Sequence, residues 1–161
     1  METLIRTYQP ADSEAVVELA LRAWGPVFGS LEQVLGREMF VRLHGDRWED
    51  FQREAVRGVL ADPGMTVWVA EAGAAVAGFV AAQVDAERLL GEIVMVAVDP
   101  AQQGRGTGGA LTEFATEWLR EQGMRVAMVD TGGDPGHAAA RHVYERAGYQ
   151  LLPVARYFKN L

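Results

Sequence analysis

The spacing of hydrophobic positions in the first third of the chain predicts helices. A short alternating stretch, Leu4 to Tyr8, comes first and predicts a strand. After the candidate N-cap Asp12, apolar residues recur at every third or fourth position, which is the spacing of one buried helix face. We expect this helix to end at Gly25-Pro26, because proline disrupts the interior of a helix.

Two more helices are predicted before the chain changes character. Ser30 followed by Gln33 has the form of a capping box, which predicts the start of a second helix. Apolar residues at helical spacing predict a third helix from Trp48 to Leu60, and Asp62-Pro63-Gly64 is expected to end it.

The middle of the chain consists instead of short runs of β-branched and small residues. The runs MTVWVAE, AAVAGFVAAQV and GEIVMVAVD are separated by short turns, a pattern typical of an antiparallel meander. A periodic helix from Leu111 to Leu119 follows, then a buried strand, RVAMVDT, and a helix between Asp134-Pro135 and Gly148. The segments YQLLP and ARYFK predict two final strands.

Taken in order, these elements predict an α+β fold. The order β-α-α-α-β-β-β-α-β-α-β-β places one mixed sheet at the centre of the chain. No internal repeat, low-complexity tract or linker divides the sequence, so we expect a single domain over residues 1–161.

Composition and charge narrow the classes of function. The chain of 161 residues is 49% hydrophobic and contains no cysteine, which predicts a cytoplasmic globular protein without disulfides or thiolate chemistry. The N-terminus lacks a signal-peptide pattern, and no apolar run is long enough to span a membrane. The formal net charge of −7 disfavours nucleic acid as a partner and mildly favours cationic amines. The histidines show no metal-ligand spacing, so we expect no metal site.

A glycine-rich segment between a strand and a helix carries the candidate chemistry. The sequence GRGTGG, Gly104 to Gly109, fits the dinucleotide pattern G-x-G-x-x-G. Its context disfavours that use, because Asp99 to Gln103 separate it from the strand and a meander precedes it. No Lys-Ser or Lys-Thr follows, as a Walker A loop requires. What remains is a row of backbone N–H groups at a helix N-terminus, which can hold a pyrophosphate.

The same segment resembles the signature of the GCN5-related N-acetyltransferases. That family carries Gln/Arg-x-x-Gly-x-Gly/Ala between a strand and a long helix, matched here by Gln103 to Gly108 behind IVMVAVDP. A second family pattern, Tyr-x-x-x-Gly-Phe/Tyr, is matched within AAARHVYERAGY, Ala138 to Tyr149. The resemblance covers Thr66 to Phe158 and implies a mixed, mostly antiparallel sheet of roughly six to seven strands with about four to five helices.

The resemblance implies acetyl-coenzyme A as the ligand. Loop N–H groups would hold its pyrophosphate, and the strand before the loop would hold its pantetheine arm, with an N–H near Val96 or Val98 polarising the thioester carbonyl. His137 stands where many members have an asparagine that contacts this arm, and its imidazole could donate a similar hydrogen bond. The implied cofactor contacts are Val96, Ala97, Val98, Gln103, Gly104, Arg105, Gly106, Thr107, Gly108 and His137.

By the same resemblance, two residues would move protons. Glu92 has the spacing to the glycine loop of the glutamate that acts as base in histone-type members; a solvated carboxylate, with a water chain as base, is the alternative. Tyr144 occupies the position of a phenol that protonates the leaving thiolate, and the alternative is an ordinary core residue.

The sequence says less about the amine that accepts the acetyl group. The aromatic candidates for its pocket are Trp24, Phe28, Phe40 and Tyr157. Asp130 follows the strand RVAMVDT, where it can either hold an ammonium group or cap the next turn. A peptide N-terminus, a lysine, a polyamine, an aminoglycoside and an amino acid all remain open as acceptors.

We therefore expect an N-acetyltransferase that moves an acetyl group from acetyl-coenzyme A to a primary amine by direct attack in a ternary complex. The alternative is a non-catalytic sensor or regulatory module that binds acetyl-coenzyme A, and the presence of both Glu92 and Tyr144 favours the enzyme. Family members often dimerise through their terminal strands, so the resemblance suggests a homodimer with ARYFK at its interface.

Overall fold

The computed structural model describes residues 3–161, and a five-stranded sheet lies at its centre. The strands are adjacent in chain order: β1 Leu4–Thr7, β2 Thr66–Ala72, β3 Ala75–Asp85, β4 Leu90–Val98 and β5 Val126–Val129. Neighbours from β1 to β4 are antiparallel, whereas β5 runs parallel to β4. The predicted meander and the mixed, mostly antiparallel character of the sheet are confirmed.

Helices cover both faces of this sheet, which explains why β3 is apolar along nearly its whole length. Their bounds are α1 Ser13–Leu35, α2 Arg37–His44, α3 Trp48–Ala61, α4 Thr107–Glu121 and α5 Ala138–Arg146. On one face, α1 and α3 bury Val16, Leu19 and Val56 against Phe79. On the other face, α4 buries Leu111 and Leu119. Within residues 3–161, no helix is long and apolar enough to cross a membrane.

The prediction that the first helix ends at Gly25-Pro26 is wrong. Helix α1 continues through Pro26, which lies on its exposed side, and ends at Gly36, where φ is 79°. The continuation buries Phe28, whose ring stacks on Trp48 at a centroid distance of 4.6 Å. Burial of an aromatic ring outweighs one lost backbone hydrogen bond. The capping-box prediction at Ser30 fails for the same reason, since Ser30 lies inside α1.

The prediction of two final strands is also wrong, so the described sheet has five strands rather than six to seven. Residues 150–161 are exposed and pair with no strand among residues 3–161. Strand β5 is consequently an edge strand, and Val126 is 60% exposed. The segment RVAMVDT is therefore only half-buried, contrary to the predicted buried strand.

Gly78 of β3 allows β4 and α4 to come close to it. A Cβ atom there would lie 2.8 Å from the carbonyl oxygen of Ala97 and 3.1 Å from Leu111 Cδ1. We expect Gly78→Ala to lower the free energy of unfolding by about 1–3 kcal/mol, because backbone and core must shift. Urea denaturation measures the loss. Gly29→Ala in α1, where nothing lies within 4 Å of the new Cβ, is the control and should not destabilise. Equal stability of Gly78→Ala and the wild type would contradict this packing.

Candidate active site

Strand β5 pairs with only the first part of β4: it ends at Val129, opposite Ile93, whereas β4 continues to Val98. The paired residues run from Leu90 to Ile93 on β4. At the next residue, Val94, a β-bulge interrupts the register with β3, since Ala81 pairs with Met95 and Ala82 with Ile93. A bulge bends its strand. Beyond it β4 pairs only with β3 among the described residues, so one row of its backbone polar groups has no strand partner. We call the space beside this unpaired half of β4 the opening.

The loop after β4 carries backbone N–H groups that have no partner within α4. Gly104 and Gly106 have φ of 76° and 83°, the left-handed region that glycine tolerates best. Gly106 is the N-cap of α4, and the first helical hydrogen bond runs from the Ala110 N–H to the Gly106 carbonyl at 2.9 Å. The N–H groups before Ala110 therefore have no partner within the helix. Such groups bind anions.

Side chains on both sides hold the loop in place. The Asp99 carboxylate accepts a hydrogen bond from the Ala101 N–H at 2.9 Å and pairs with Arg22 of α1. The hydrogen bond from Arg22, helped by that from Ala101, lowers the pKa of Asp99. Gln103 Nε2 donates to the Val98 carbonyl at 3.1 Å and so closes the end of β4. The loop is thus fixed to both β4 and α1.

Three elements meet at the start of α4. A Cβ atom on Gly108 would lie 3.7 Å from Val98 of β4 and 3.9 Å from Val143 of α5. Thr107 is buried and Arg105 is exposed beside it, and the first turn of α4 has no acidic residue. A cationic side chain and free N–H groups without a competing carboxylate fit a pyrophosphate. The residues present therefore suit the phosphate end of a nucleotide cofactor.

Tyr144 comes from α5, next to Val143. Its side chain is 8% exposed, and its ring meets Tyr149 edge-on at a centroid distance of 6.2 Å. Burial, with a smaller contribution from Tyr149, raises the pKa of the Tyr144 phenol to about 12. The phenol therefore keeps its proton at neutral pH and can donate it, but it is not available as a phenolate base.

Glu92 lies in the paired half of β4, two residues before the bulge. Gly91 and Ile93 face α4, so the alternation of the strand places Glu92 on the face covered by α1. It is half-buried, and its Oε2 accepts a hydrogen bond from Gln83 Nε2 at 2.8 Å. Its second carboxylate oxygen can still accept a proton.

The residues considered for the acceptor pocket lie in different environments. Trp24 is half-buried on α1, edge-on to Phe79 at 6.4 Å, and faces the sheet. Phe28 is 6% exposed inside a cluster of aromatic rings. Asp130 is exposed directly after β5. Tyr157 is 91% exposed in the segment 150–161, so it forms no pocket wall within this chain.

One contact between α1 and the turn before α5 could not be predicted from the sequence. The Ser30 hydroxyl on α1 donates a hydrogen bond to Asp134 Oδ2 at 2.7 Å, in the turn before α5. Asp134 also caps that turn by accepting from the Gly136 N–H at 3.2 Å. The aspartate-proline pair predicts the cap, but no local signal indicates a partner 104 residues away.

Comparison with known sequences places this geometry among related proteins. A sequence profile described as the Acetyltransferase (GNAT) family matches residues 28–149. The chain is similar to the mycothiol acetyltransferase of Amycolatopsis mediterranei, at 32% identity over 156 residues, covering 90% of this chain and 45% of that protein. The mycothiol acetyltransferase of Rhodococcus erythropolis is 43% identical over 65 residues, covering 40% of this chain and 21% of that protein. The chain therefore spans less than half the length of these relatives.

Solved structures share the fold. The PaiA N-acetyltransferase of Thermoplasma acidophilum, solved in complex with coenzyme A, superposes with a TM-score of 0.69 at 14% identity, covering 96% of this chain and 94% of that one. The ribosomal-protein-S18-alanine N-acetyltransferase of Escherichia coli gives 0.65 at 20% identity, covering 91% and 77%. At these identities the likeness concerns the fold alone.

Proposed function

Because this chain belongs to the acetyltransferase (GNAT) family, we propose that it transfers an acetyl group from acetyl-coenzyme A to a primary amine. The observation that carries this proposal is the loop from Gly104 to Gly108, which offers free N–H groups and Arg105 directly after the unpaired half of β4. A pyrophosphate at this loop directs the rest of the cofactor toward the unpaired half of β4.

The binding residues act mainly through their backbone. N–H groups between Gln103 and Gly108 hold the pyrophosphate, and the unpaired part of β4 around Val96 to Val98 holds the pantetheine amides as a neighbouring strand would. Bound acetyl-coenzyme A would supply its acetyl thioester at the end of that arm. An N–H of β4 donates to the thioester carbonyl and stabilises the negative charge that develops on it.

We assign proton transfer to two side chains, Glu92 of β4 and Tyr144 of α5. Glu92 accepts a proton from the acceptor ammonium, directly or through water, so that the neutral amine can attack the carbonyl carbon. The new C–N bond forms, the C–S bond breaks, and the second proton that the nitrogen loses passes to water. Tyr144, which holds its proton at neutral pH, donates its O–H to the departing sulfur.

We expect Glu92→Gln to lower kcat about a hundredfold, because the amide cannot accept the proton. The hydrogen bond with Gln83 can persist through the amide oxygen, so the affinity for acetyl-coenzyme A should not change. Steady-state thiol release gives kcat, and calorimetry gives the affinity. Glu87→Gln, in the turn between β3 and β4, is the control. Wild-type turnover in Glu92→Gln would assign the base to a water chain or to another group.

The acceptor we propose is a cationic primary amine. The formal charge of −7 attracts cations, and exposed Asp130 at the end of β5 can pair with an ammonium group. Relatives are named for mycothiol and for a ribosomal-protein alanine. A panel containing an aminoglycoside, a polyamine, an amino acid, a lysine peptide and a peptide with a free N-terminus covers the acceptor classes that the sequence leaves open.

We also propose that the chain forms a homodimer through residues 150–161, the tail. Six large apolar side chains of the tail are exposed: Leu151, Leu152, Val154, Tyr157, Phe158 and Leu161. Beside edge strand β5, a hollow of about 90 Å³ is lined by Leu119, Met124 and Val126. An adjoining hollow of about 340 Å³ is lined by Glu113 and by Glu117, which pairs with Arg120. Glu113 is opposite in charge to Arg156 and Lys159 of the tail. A stable interface buries on the order of 1,600 Å² in total, which the two twelve-residue tails together would have to supply.

Light scattering of the full chain tests this arrangement, and the expected mass is that of two copies. Lysine at both Val126 and Met128 should convert the dimer to a monomer, because both side chains lie on the exposed edge strand. Leu4→Lys on the opposite edge, where Leu4 is 59% exposed, is the control. A wild-type monomer, with its tail folded on its own β5 or free, would contradict the dimer.

A further inference from the structure

The proposed base Glu92 has an uncharged partner on the neighbouring strand. Gln83 of β3 and Glu92 of β4 lie directly opposite each other in the register of the sheet. Side chains in such a pair have Cβ atoms about 4.5–5.5 Å apart. Gln83 Nε2 donates a hydrogen bond to Glu92 Oε2 at 2.8 Å, and both side chains are half-buried. We call these two residues the amide-carboxylate pair.

The amide of Gln83 comes at the end of an apolar stretch of β3. The residues before it, Ala77 to Ala82, are buried and carry no polar side-chain atom. Phe79 and Ala81 belong to the core beneath α1, and the alternation of the strand places Gln83 on the same face. Glu92 lies on this face as well. A half-buried amide needs a hydrogen-bond partner, and Glu92 provides it.

Two other carboxylates of low exposure pair with arginine instead of an amide. Asp12 accepts two hydrogen bonds from the guanidinium group of Arg6, at 2.8 and 2.9 Å. Asp99 pairs with Arg22. The hydrogen bonds from these guanidinium groups lower the pKa of both aspartates. A carboxylate held in this way is a weaker base, and fewer of its lone pairs are free.

The amide of Gln83 fixes Glu92 without adding a positive charge. An ionised carboxylate only accepts hydrogen bonds, so the amide must turn its nitrogen, and not its oxygen, toward Glu92. The hydrogen bond occupies Oε2. Oε1 is left for the ammonium group of the acceptor or for a water molecule between them, and the negative charge that attracts this ammonium group is kept.

We propose that Gln83 is a positioning residue for acetyl transfer, whose amide holds Oε2 of Glu92 so that Oε1 is directed at the acceptor amine. This role rests on the proposed function, because Gln83 acts on the reaction only through Glu92. A glutamate side chain has several rotatable bonds and samples several rotamers when nothing holds it. Without the amide, Glu92 is in place in only a fraction of the molecules, and turnover falls by that fraction.

A double-mutant cycle on kcat tests whether Gln83 acts through Glu92. Gln83→Leu should lower kcat about tenfold and leave KM for acetyl-coenzyme A unchanged, because leucine fills a similar volume but donates no hydrogen bond. In the Glu92→Gln background, the same substitution should change kcat by less than about twofold. Gln122→Leu, exposed at the end of α4, is the control and should keep wild-type kcat. Equal losses in both backgrounds would indicate a merely structural effect and overturn the proposal.

Gln83→Lys tests whether the partner of Glu92 must be uncharged. Lysine can also donate a hydrogen bond to Glu92, but its positive charge competes with the acceptor ammonium for the carboxylate. We expect kcat to be no higher than in Gln83→Leu. Wild-type turnover in Gln83→Lys would overturn the requirement for an uncharged donor.

NMR of the side-chain amides tests the contact without any cofactor. The ¹⁵N–¹H signals of the Gln83 amide, assigned by their loss in Gln83→Leu, should move in Glu92→Ala, whereas those of Gln122 should not. Unmoved Gln83 signals in a protein that turns over would overturn the positioning role alone. If the signals move as expected but no amine releases thiol, the proposed function fails and the positioning role fails with it.

Discussion

Replacing Gly106 with valine is expected to weaken the binding of acetyl-coenzyme A about a hundredfold. Gly106 has φ of 83°, a conformation that a β-branched residue adopts only with strain. The variant relieves that strain by rotating the backbone, which turns the N–H groups at the start of α4 away from the pyrophosphate. Nothing lies within 4 Å of the new Cβ, so the core should be undisturbed. Calorimetry measures the affinity.

Gly109→Val is the matched control for this loop variant. Gly109 lies in the first turn of α4, has open space around its Cβ position and lacks a positive φ. Its affinity should stay near that of the wild type, and thermal unfolding should show that both variants are folded. Wild-type affinity in folded Gly106→Val would mean that the loop does not hold the pyrophosphate.

The second large effect is expected for Tyr144→Phe, with kcat reduced about 10²-fold to 10³-fold. The ring remains in its buried position, so the affinity for acetyl-coenzyme A should persist while the donor to the leaving sulfur is lost. The pKa of about 12 keeps the phenol protonated in neutral and mildly alkaline buffers. The ratio of wild-type to variant kcat should therefore be constant between about pH 6 and about pH 10.

Tyr149→Phe is the control that distinguishes proton donation by Tyr144 from the packing of the two tyrosine rings. The Tyr149 ring contacts Tyr144, and its hydroxyl shares a hydrogen bond with Thr116 at 2.7 Å. Removing that hydroxyl should cost some stability but little turnover. Equal losses of kcat in the two variants, or full turnover in Tyr144→Phe, would show that the Tyr144 phenol does not donate the proton.

The parts of the fold that local sequence determines were predictable. The meander follows from β-branched runs between turn residues, and the loop follows from glycines whose φ values only glycine adopts readily. The end of α1 was not predictable, because burial of Phe28 against Trp48 and Phe40 keeps the helix intact through Pro26. Tertiary packing overrode a local signal there.

The errors at the end of the chain have a different cause. The segments YQLLP and ARYFK have suitable strand residues, but strand formation depends on pairing with another strand, and residues 150–161 pair with none among the described residues. The contact between Ser30 and Asp134 joins residues 104 positions apart, and nothing local to either residue indicates it. The roles assigned to Glu92, Tyr144 and the loop residues stay predictions, as does the single domain over residues 1–161.

Amine-dependent release of coenzyme A thiol is the measurement that tests the central claim most directly. The wild-type protein is incubated with acetyl-coenzyme A and each amine of the panel, while calorimetry reports cofactor binding in parallel. We predict that at least one primary amine releases thiol in step with the formation of its acetylated product. Tight binding of acetyl-coenzyme A without thiol release for any amine would contradict the account and favour a sensor of acetyl-coenzyme A.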